Sequence, residues 1–396
     1  MTNSETKNFS QNVSSSYHLE DRNKNIPKLR FKEYNDEWKR VKTEEIFENI
    51  SIKNNPLLPV LAVTQDKGVI LRESCGINIK YENKSLKSYK IVKPGNFIIS
   101  LRSFQGGLEY SELEGIVSPA YTILNNKQNI SYDFFKYYFK TYNFIKSLNI
   151  AVEGIRDGKQ ISYNSFKDIK IAFPSLPEQE KIASFLTLID KKIEKQKELV
   201  ELLKKYKRGL LSSIFSQNLR FKDNDGNDYP TWEEKRLEEI LKIKHGKSQK
   251  EIECTNGKYP ILATGGEIGR TNSCLWNKPC VLIGRKGTID KPQYMETPFW
   301  TVDTLFYSEV FKDNNAKYLY YLFNTINWKK YDESTGVPSL SAKTIERIKV
   351  TLSISNTEQT IISKILSKFD NKIQQEECIL SNLQTYKKGL LQQMFI

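Results

Sequence analysis

The sequence predicts an α/β (α+β) protein: two globules in tandem, each followed by a long helix, the two helices pairing and the whole built as an internal repeat. Three observations support this. A heptad-like apolar pattern runs from Ser175 to Ser216, the same pattern returns 180 positions later, and the residues before each copy alternate β-forming stretches with an aromatic helix in the same order.

In the first helix Ile182, Leu186, Ile189, Ile193, Val200, Leu203, Leu210 and Ile214 form one apolar seam, interrupted by Gln196 and Lys207. Ser175 and Glu178 have capping-box spacing, and Pro177 falls in the first turn, where its missing N–H costs nothing. Roughly 40 helical residues at about 1.5 Å each make a rod about 60 Å long. A rod with a single apolar stripe needs a partner. Its partner is the second copy: Ser355 and Glu358, then Ile362, Leu366, Phe369, Ile373, Leu380, Leu383, Leu390 and Met394, with Glu376 and Lys387 as the polar interruptions. Off-seam residues repeat as well, as Gln179/Gln359, Asp190/Asp370, Tyr206/Tyr386 and Phe215/Phe395. Polar residues on a seam lower stability but fix register.

In chain order, residues 1–26 read as a disordered polar tail. The first globule spans 27–174, the central helix 175–216, the second globule 217–353 and the last helix 354–396. Leu29-Arg30-Phe31-Lys32, Trp38 and Glu44-Glu45-Ile46-Phe47 return as Leu219-Arg220-Phe221-Lys222, Trp232 and Glu238-Glu239-Ile240-Leu241, each series predicting a loop that leads into a short helix. The offset grows from 190 to 194 between them, which places an insertion near Asp225-Gly226-Asn227-Asp228. Strands are predicted over Val60–Val63, Asn96–Leu101 and Ala120–Leu124, then Cys280–Ile283 and Thr301–Tyr307. An aromatic helix follows in each half, over Tyr132–Leu148 with Phe135, Phe139 and Tyr142 facing a core, and over Ala316–Trp328 with Leu319, Leu322, Phe323 and Ile326. Each globule closes on a strand, Ile169–Phe173 or Ile348–Leu352.

A net charge of +14 on 396 residues predicts a polyanionic partner. Five cysteines without paired metal spacing fit reduced thiols in the cytosol, and with only His18 and His245 a histidine-based metal site or catalytic triad is not expected. Neither a targeting segment nor an apolar run of membrane-spanning length is visible, so a soluble, cytoplasmic protein is expected.

Two divergent α/β globules, each followed by a similar helix opening Pro-Glu-Gln-Glu-Lys-Ile or Thr-Glu-Gln-Thr-Ile-Ile and closing Lys-Arg-Gly-Leu-Leu or Lys-Lys-Gly-Leu-Leu, resemble the specificity subunit of type I restriction–modification enzymes. The resemblance covers residues 27–396. It implies that each globule is a target-recognition domain and that the helices form an antiparallel coiled coil with an internal pseudo-twofold. On this resemblance two modification (methyltransferase) subunits dock on the coil and restriction subunits join them. S-adenosylmethionine, ATP and Mg would then sit on those partners, with no cofactor on this chain. The partner read by the globules is double-stranded DNA, one half of a bipartite target each, with the coil setting the spacer.

No catalytic residue is assigned. Ser118-Pro119-Ala120-Tyr121 approaches the loop of an adenine methyltransferase, but its third position is Ala and no cofactor motif accompanies it; in the repeat it falls opposite Asp303-Thr304-Leu305-Phe306. Gly246-Lys247-Ser248 echoes a P-loop without the preceding glycine. Loops suited to reading DNA are clearer. Arg102, Ser103 and Gln105 follow a predicted strand, and Arg285, Lys286 and Thr288 do so at the matching place in the second half. Lys159, Gln160 and Ser162 precede the last strand of the first globule, as Ser339, Ser341 and Lys343 do in the second. Arg grips guanine and Gln adenine through paired hydrogen bonds, whereas Lys, Ser and Thr reach bases or phosphates. Two rival readings remain, a stand-alone adenine DNA methyltransferase or nuclease and a coiled-coil interaction protein without a DNA role. Methyl transfer by the isolated chain would favour the first, and DNA binding insensitive to salt the second.

Overall fold

The computed structural model describes residues 25–65, 67–75, 83–152 and 161–396, so the tail expected over 1–26 lies, up to residue 24, outside the described residues. The chain divides into two compact units, one comprising the residues up to Glu194 with Ser381–Ile396, the other Lys195–Leu380. Each unit holds one globule and a segment of both long helices.

In the first unit β1 (Lys39–Lys42) leads through a single 3-10 turn, Thr43–Glu45, into β2 (Phe47–Ile50). That turn is all that forms of the short helix expected here. Thr43 is tied through its N–H to the Ile169 carbonyl and through its hydroxyl to that of Phe166, and β2 takes up the residues that follow. A hairpin of β3 (Leu61–Thr64) and β4 (Gly68–Leu71) comes next, then β5 (Lys90–Val92), β6 (Phe97–Ile99), the short α1 (Ser103–Gly106), β7 (Glu109–Tyr110), β8 (Gly115–Val117) and β9 (Thr122–Asn126). The central sheet is antiparallel in the order β2-β9-β6-β7. Its strands bury Phe47, Phe97 and Leu124 on one face.

The aromatic helix expected over Tyr132–Leu148 is two helices, α2 (Tyr132–Tyr138) and α3 (Tyr142–Val152). Thr141 makes the break: its hydroxyl donates to the Tyr138 carbonyl and accepts from Phe144 N–H, starting a new helix. Tyr142 therefore sits on the first turn of α3 and is exposed, not in the core, while Phe135 and Phe139 are buried as expected. Gly107, at φ +78°, ends α1 against α2; a Cβ there would lie 1.8 Å from the Phe139 carbonyl oxygen, so only glycine fits. The globule closes with α4 (Tyr163–Lys167) and β10 (Lys170–Phe173), which pairs with β1.

After α5 (Leu176–Phe215) the second unit repeats this plan with β11 (Glu233–Arg236), a 3-10 turn over Leu237–Glu239, β12 (Leu241–Lys244), β13 (Tyr259–Ala263), β14 (Gly266–Thr271), β15 (Cys280–Gly284), β16 (Gln293–Met295), β17 (Trp300–Thr301) and β18 (Leu305–Val310). The sheet order β12-β18-β15-β16 matches that of the first unit strand for strand. Then come α6 (Ala316–Phe323), a 3-10 turn over Trp328–Tyr331, α7 (Ala342–Glu346), β19 (Lys349–Leu352) and α8 (Asn356–Gln393). The extra residues near Asp225 form a turn in which the Asp223 carboxylate accepts from the Asp225 and Asn227 amides.

Strand pairing corrects the alignment of the two halves by one residue. Phe47 pairs with Asn126 and Ile99 with Thr122; Leu241 pairs with Val310 and Ile283 with Phe306. Ile99 thus corresponds to Ile283, so that Arg102 matches Lys286 and Leu101 matches Arg285. By the same count Ser118 matches Val302, and Asp303 stands where the first globule has Pro119. One residue matters here, because a slip of one in a ladder exchanges the two faces.

Each globule is seated on helix segments that run antiparallel. In the first unit Ile182 and Leu186 of α5 and Leu390, Met394 and Phe395 at the end of α8 enter the aromatic core, with Phe395 centred 5.2 Å from Phe134 and 6.3 Å from Trp38. In the second unit Ile214 of α5 and Ile362 and Leu366 of α8 do so, and Phe215 lies 5.4 Å from Tyr318. Of the other seam residues Ile193 and Ile373 are buried, while Ile189, Leu203, Phe369 and Leu383 are half-buried. The polar interruptions are partnered. Gln196 donates from Nε2 to Glu376 Oε2 at 2.6 Å, so two residues related by the repeat meet in the second unit.

The helix starts depart from the capping-box reading. Ser355 Oγ accepts from Glu358 N–H as a cap should, but the Glu358 carboxylate does not return to the cap. It is fully buried and accepts from Arg220 Nε at 3.1 Å, Trp232 Nε1 at 2.9 Å and Ser353 Oγ at 2.6 Å. Glu178 does the same with Arg30, Nε and Nη2 at 2.7 and 2.8 Å, and with Trp38 Nε1. A buried carboxylate facing a guanidinium outweighs a solvent-side cap bond.

Candidate nucleic-acid interface

In the first globule the loop after β6 turns back through Ser100–Gly106. Arg102 and Gln105 are exposed. Ser103 is not available to a ligand, which corrects its assignment to DNA: it is fully buried, and its hydroxyl accepts from Ser100 N–H at 2.9 Å. Lys159 and Gln160 lie outside the described residues. Ser162 is exposed and caps α4, its hydroxyl accepting from Ser165 N–H at 3.1 Å.

Beside Arg102 lies a cleft of about 710 Å³ that sequence reasoning missed. One wall is the β3–β4 hairpin up to Gln65, whose Nε2 donates to the Arg102 carbonyl at 2.6 Å. Arg72, Tyr89, Ser100, Arg102, Ser118 and Tyr121 add polar groups to the lining, and none of the described lining residues is acidic. Burial pushes the Tyr121 hydroxyl above its ordinary value, and the guanidiniums of Arg72 and Arg102 pull it part of the way back, so both charges act on the same ring. Ser118-Pro119-Ala120-Tyr121 is a turn at this cleft, closed by Tyr121 N–H on the Ser118 carbonyl. The residues of the cleft come from five separate stretches of chain, which is why no spacing reveals them.

In the second globule the two loops singled out above come together. Gly287 N–H donates to the Pro338 carbonyl and Leu340 N–H to that of Arg285, and Lys286 bridges to Ser339. Arg285 is half-buried and its guanidinium is paired with the Asp303 carboxylate. Lys286 and Lys343 are exposed, and Thr288 and Ser339 are half-buried. The 334–339 loop is wound on Asp332, whose carboxylate accepts from the Ser339 and Ser334 amides and from the Ser334 hydroxyl; these bonds hold it below the usual carboxylate range. Ser341 caps α7 by accepting from Thr344 N–H at 3.1 Å and donates to Glu333, so its hydroxyl, like that of Ser162, is engaged within the fold. Gly246 cradles no phosphate: a Cβ there would lie 2.1 Å from the Val302 carbonyl oxygen, so the glycine lets two backbones pass.

A further network ties each globule to its helices. Tyr137 donates to Asp190 at 2.8 Å, Asp190 is paired with Lys387, and the Lys387 ammonium lies 5.3 Å from the Tyr137 ring centre. The second unit repeats it with Tyr321, Asp370 and Lys207. In both, burial chiefly raises the tyrosine hydroxyl well above its ordinary value. Its sequence signal was present, since Asp190/Asp370 and the seam-breaking Lys207/Lys387 both repeat. Among the described residues no group of His, Cys, Asp or Glu could hold a metal ion, and no helix is long and apolar enough to cross a membrane.

The chain is thus a duplicated α/β globule, each copy seated on segments of two long helices and carrying exposed basic residues at its loops. The chain belongs to the type I restriction modification DNA specificity domain family, which matches it twice, over residues 35–204 and 229–385. It is 28% identical over 188 residues to the type I restriction enzyme MjaIX specificity subunit of Methanocaldococcus jannaschii, covering 44% of this chain and 43% of that protein. The MjaVIII specificity subunit of the same organism is 28% identical over 187 residues, covering 45% and 42%. The chain thus spans less than half the length of these relatives. Its fold is similar to that of a type I restriction-modification S subunit from M. genitalium, with a TM-score of 0.58 and 20% identity over 94% of this chain and 99% of that one. A structure of a type I R-M system bearing on complex assembly and conformational transition matches with a TM-score of 0.58 at 14% identity, over 90% and 97%.

Proposed function

We propose that this chain is the non-catalytic DNA-recognition and scaffolding subunit of a type I restriction–modification complex in the cytoplasm. Each globule reads one half of a bipartite target, and the paired helices set the unread spacer and dock two methyltransferase subunits, which restriction subunits join. S-adenosylmethionine, ATP and Mg act on those partners. The observation that carries this reading is the double family match, one copy over each globule and its helix. The net charge of +14 and the exposed Arg102, Lys286 and Lys343 suit a phosphate-bearing partner.

Methylation mapped in cells carrying this chain and its methyltransferase subunit tests the reading. The expected result is one bipartite sequence with a fixed gap, and exchange of a single globule for that of a relative should change one half only. Methyl transfer by the purified chain alone, or DNA affinity unmoved between 50 and 200 mM salt, a range over which several phosphate contacts cost about 10³-fold or more, would overturn it.

A further inference from the structure

We infer that the cleft beside Arg102 receives one nucleotide of the first half-site, unstacked from the duplex. The inference rests on the recognition role proposed above and goes beyond it in naming a pocket, an occupant and the residues that select it.

Size argues first. About 710 Å³ falls in the ~300–1,000 Å³ range of pockets that enclose a small ligand, and far below what a length of duplex needs. A base pointing out of the helix is the part of DNA that such a cleft can admit. Chemistry argues second. Tyr89 and Tyr121 supply aromatic surface, Arg102 supplies an exposed positive charge, and Gln65 supplies an amide whose oxygen remains an acceptor while its nitrogen is held by the Arg102 carbonyl. Rings for a base, a guanidinium for a phosphate or a base edge and an amide for hydrogen bonding are the elements by which proteins hold an unpaired nucleotide. The second globule argues third. Arg285, at the same strand end, is neutralised by Asp303, whereas the first globule has Leu101 and Pro119 at those two places and Arg102 has no carboxylate partner among the described residues. Both globules therefore keep one exposed cation at this strand end, Arg102 in the first and its counterpart Lys286 in the second, and only the first leaves it beside an open, uncharged neighbour.

The chemistry shared by an extruded DNA base and a free mononucleotide is the same, and the test separates them. The full chain, assembled with its methyltransferase subunits, is bound to target duplexes carrying 2-aminopurine at each position of the first half-site in turn. One position, distinct from the adenine that is methylated, should brighten several-fold on binding. Arg102→Met, which alters an exposed side chain, and Tyr121→Leu should each abolish that signal and weaken binding to the first half-site by roughly tenfold to a hundredfold, the range of a paired base contact. Both variants should leave discrimination at the second half-site intact. No brightening at any other position, or brightening that survives both variants, would overturn the inference. So would micromolar binding of free deoxynucleotides that target DNA fails to displace. A wild-type complex without any sequence preference would instead overturn the recognition role itself.

Discussion

Two carboxylates, Glu178 and Glu358, show how one residue can hold a helix start to a globule. Glu358 gathers a guanidinium, an indole N–H and a hydroxyl while fully buried, so removing it strands the Trp232 N–H and takes the charged partner from Arg220. Glu358→Ala should therefore destabilise the second unit by about 3–5 kcal/mol, the usual loss when one partner of a buried pair is deleted, and urea unfolding followed by tryptophan emission would register it. A loss under half a kcal/mol, the size of an ordinary surface change, would show that Arg220 and Trp232 find water instead. Arg102 belongs to the same scale. Its exposed guanidinium should contribute roughly 1–3 kcal/mol of discrimination, confined to the first half-site, and Arg102→Ala should relax that half alone. Equal weakening on every DNA sequence, measured by competition binding, would reduce it to a phosphate contact.

At the scale of elements the helix pairs combine an apolar seam with a few polar fixtures. Glu376 is held below its ordinary 4.5 first by Lys372 and then by Gln196. A carboxylate depressed in the folded state contributes stability that is complete above its unfolded value and is lost as pH falls through the lower, folded value. The helix pair of the second unit should thus begin to weaken below about pH 4.5, and Glu376→Gln should remove that part of the acid sensitivity. Thermal melts by circular dichroism between pH 6 and pH 3 would decide it; parallel curves for the two proteins would assign the acid loss elsewhere. The Tyr137–Asp190–Lys387 and Tyr321–Asp370–Lys207 networks explain why lysine occupies a seam position twice: its ammonium serves the aspartate and the tyrosine ring, not the seam.

For the whole molecule the proposed ruler has a direct test. Four residues inserted after Leu199 and a matched four after Ile379 form a stutter that paired helices absorb by local unwinding. Each insertion lengthens its helix by about 6 Å and turns it by about 40° beyond a full turn, against roughly 34–36° per base pair at 10–10.5 pairs per turn. Both half-sites should keep their sequences while the unread gap grows by one pair, or by two. Methylation across a library of gap lengths would show the shift, and an unchanged optimum would mean that the helices do not set the spacing.

Chain order alone revealed the duplication, the two long helices and the seam, because heptad spacing and a repeat of this length are carried by residues close in sequence or at a constant offset. The sheet plan was half legible: β-forming runs showed, but their pairing did not, and the halves were aligned one residue out near Arg102 until the ladders of β9 and β18 set the register. Three things were settled only by tertiary packing. Glu178 and Glu358, themselves buried, turned from the capping box to Arg30 and Arg220, Ser103 was buried under its own loop, and the cleft assembled Gln65, Arg72, Tyr89, Arg102 and Tyr121 from across the first globule. The physical reason is common to all three. A short polar side chain satisfies whichever partner burial brings nearest, and burial is decided by contacts between residues tens to more than a hundred positions apart, to which a local pattern is blind.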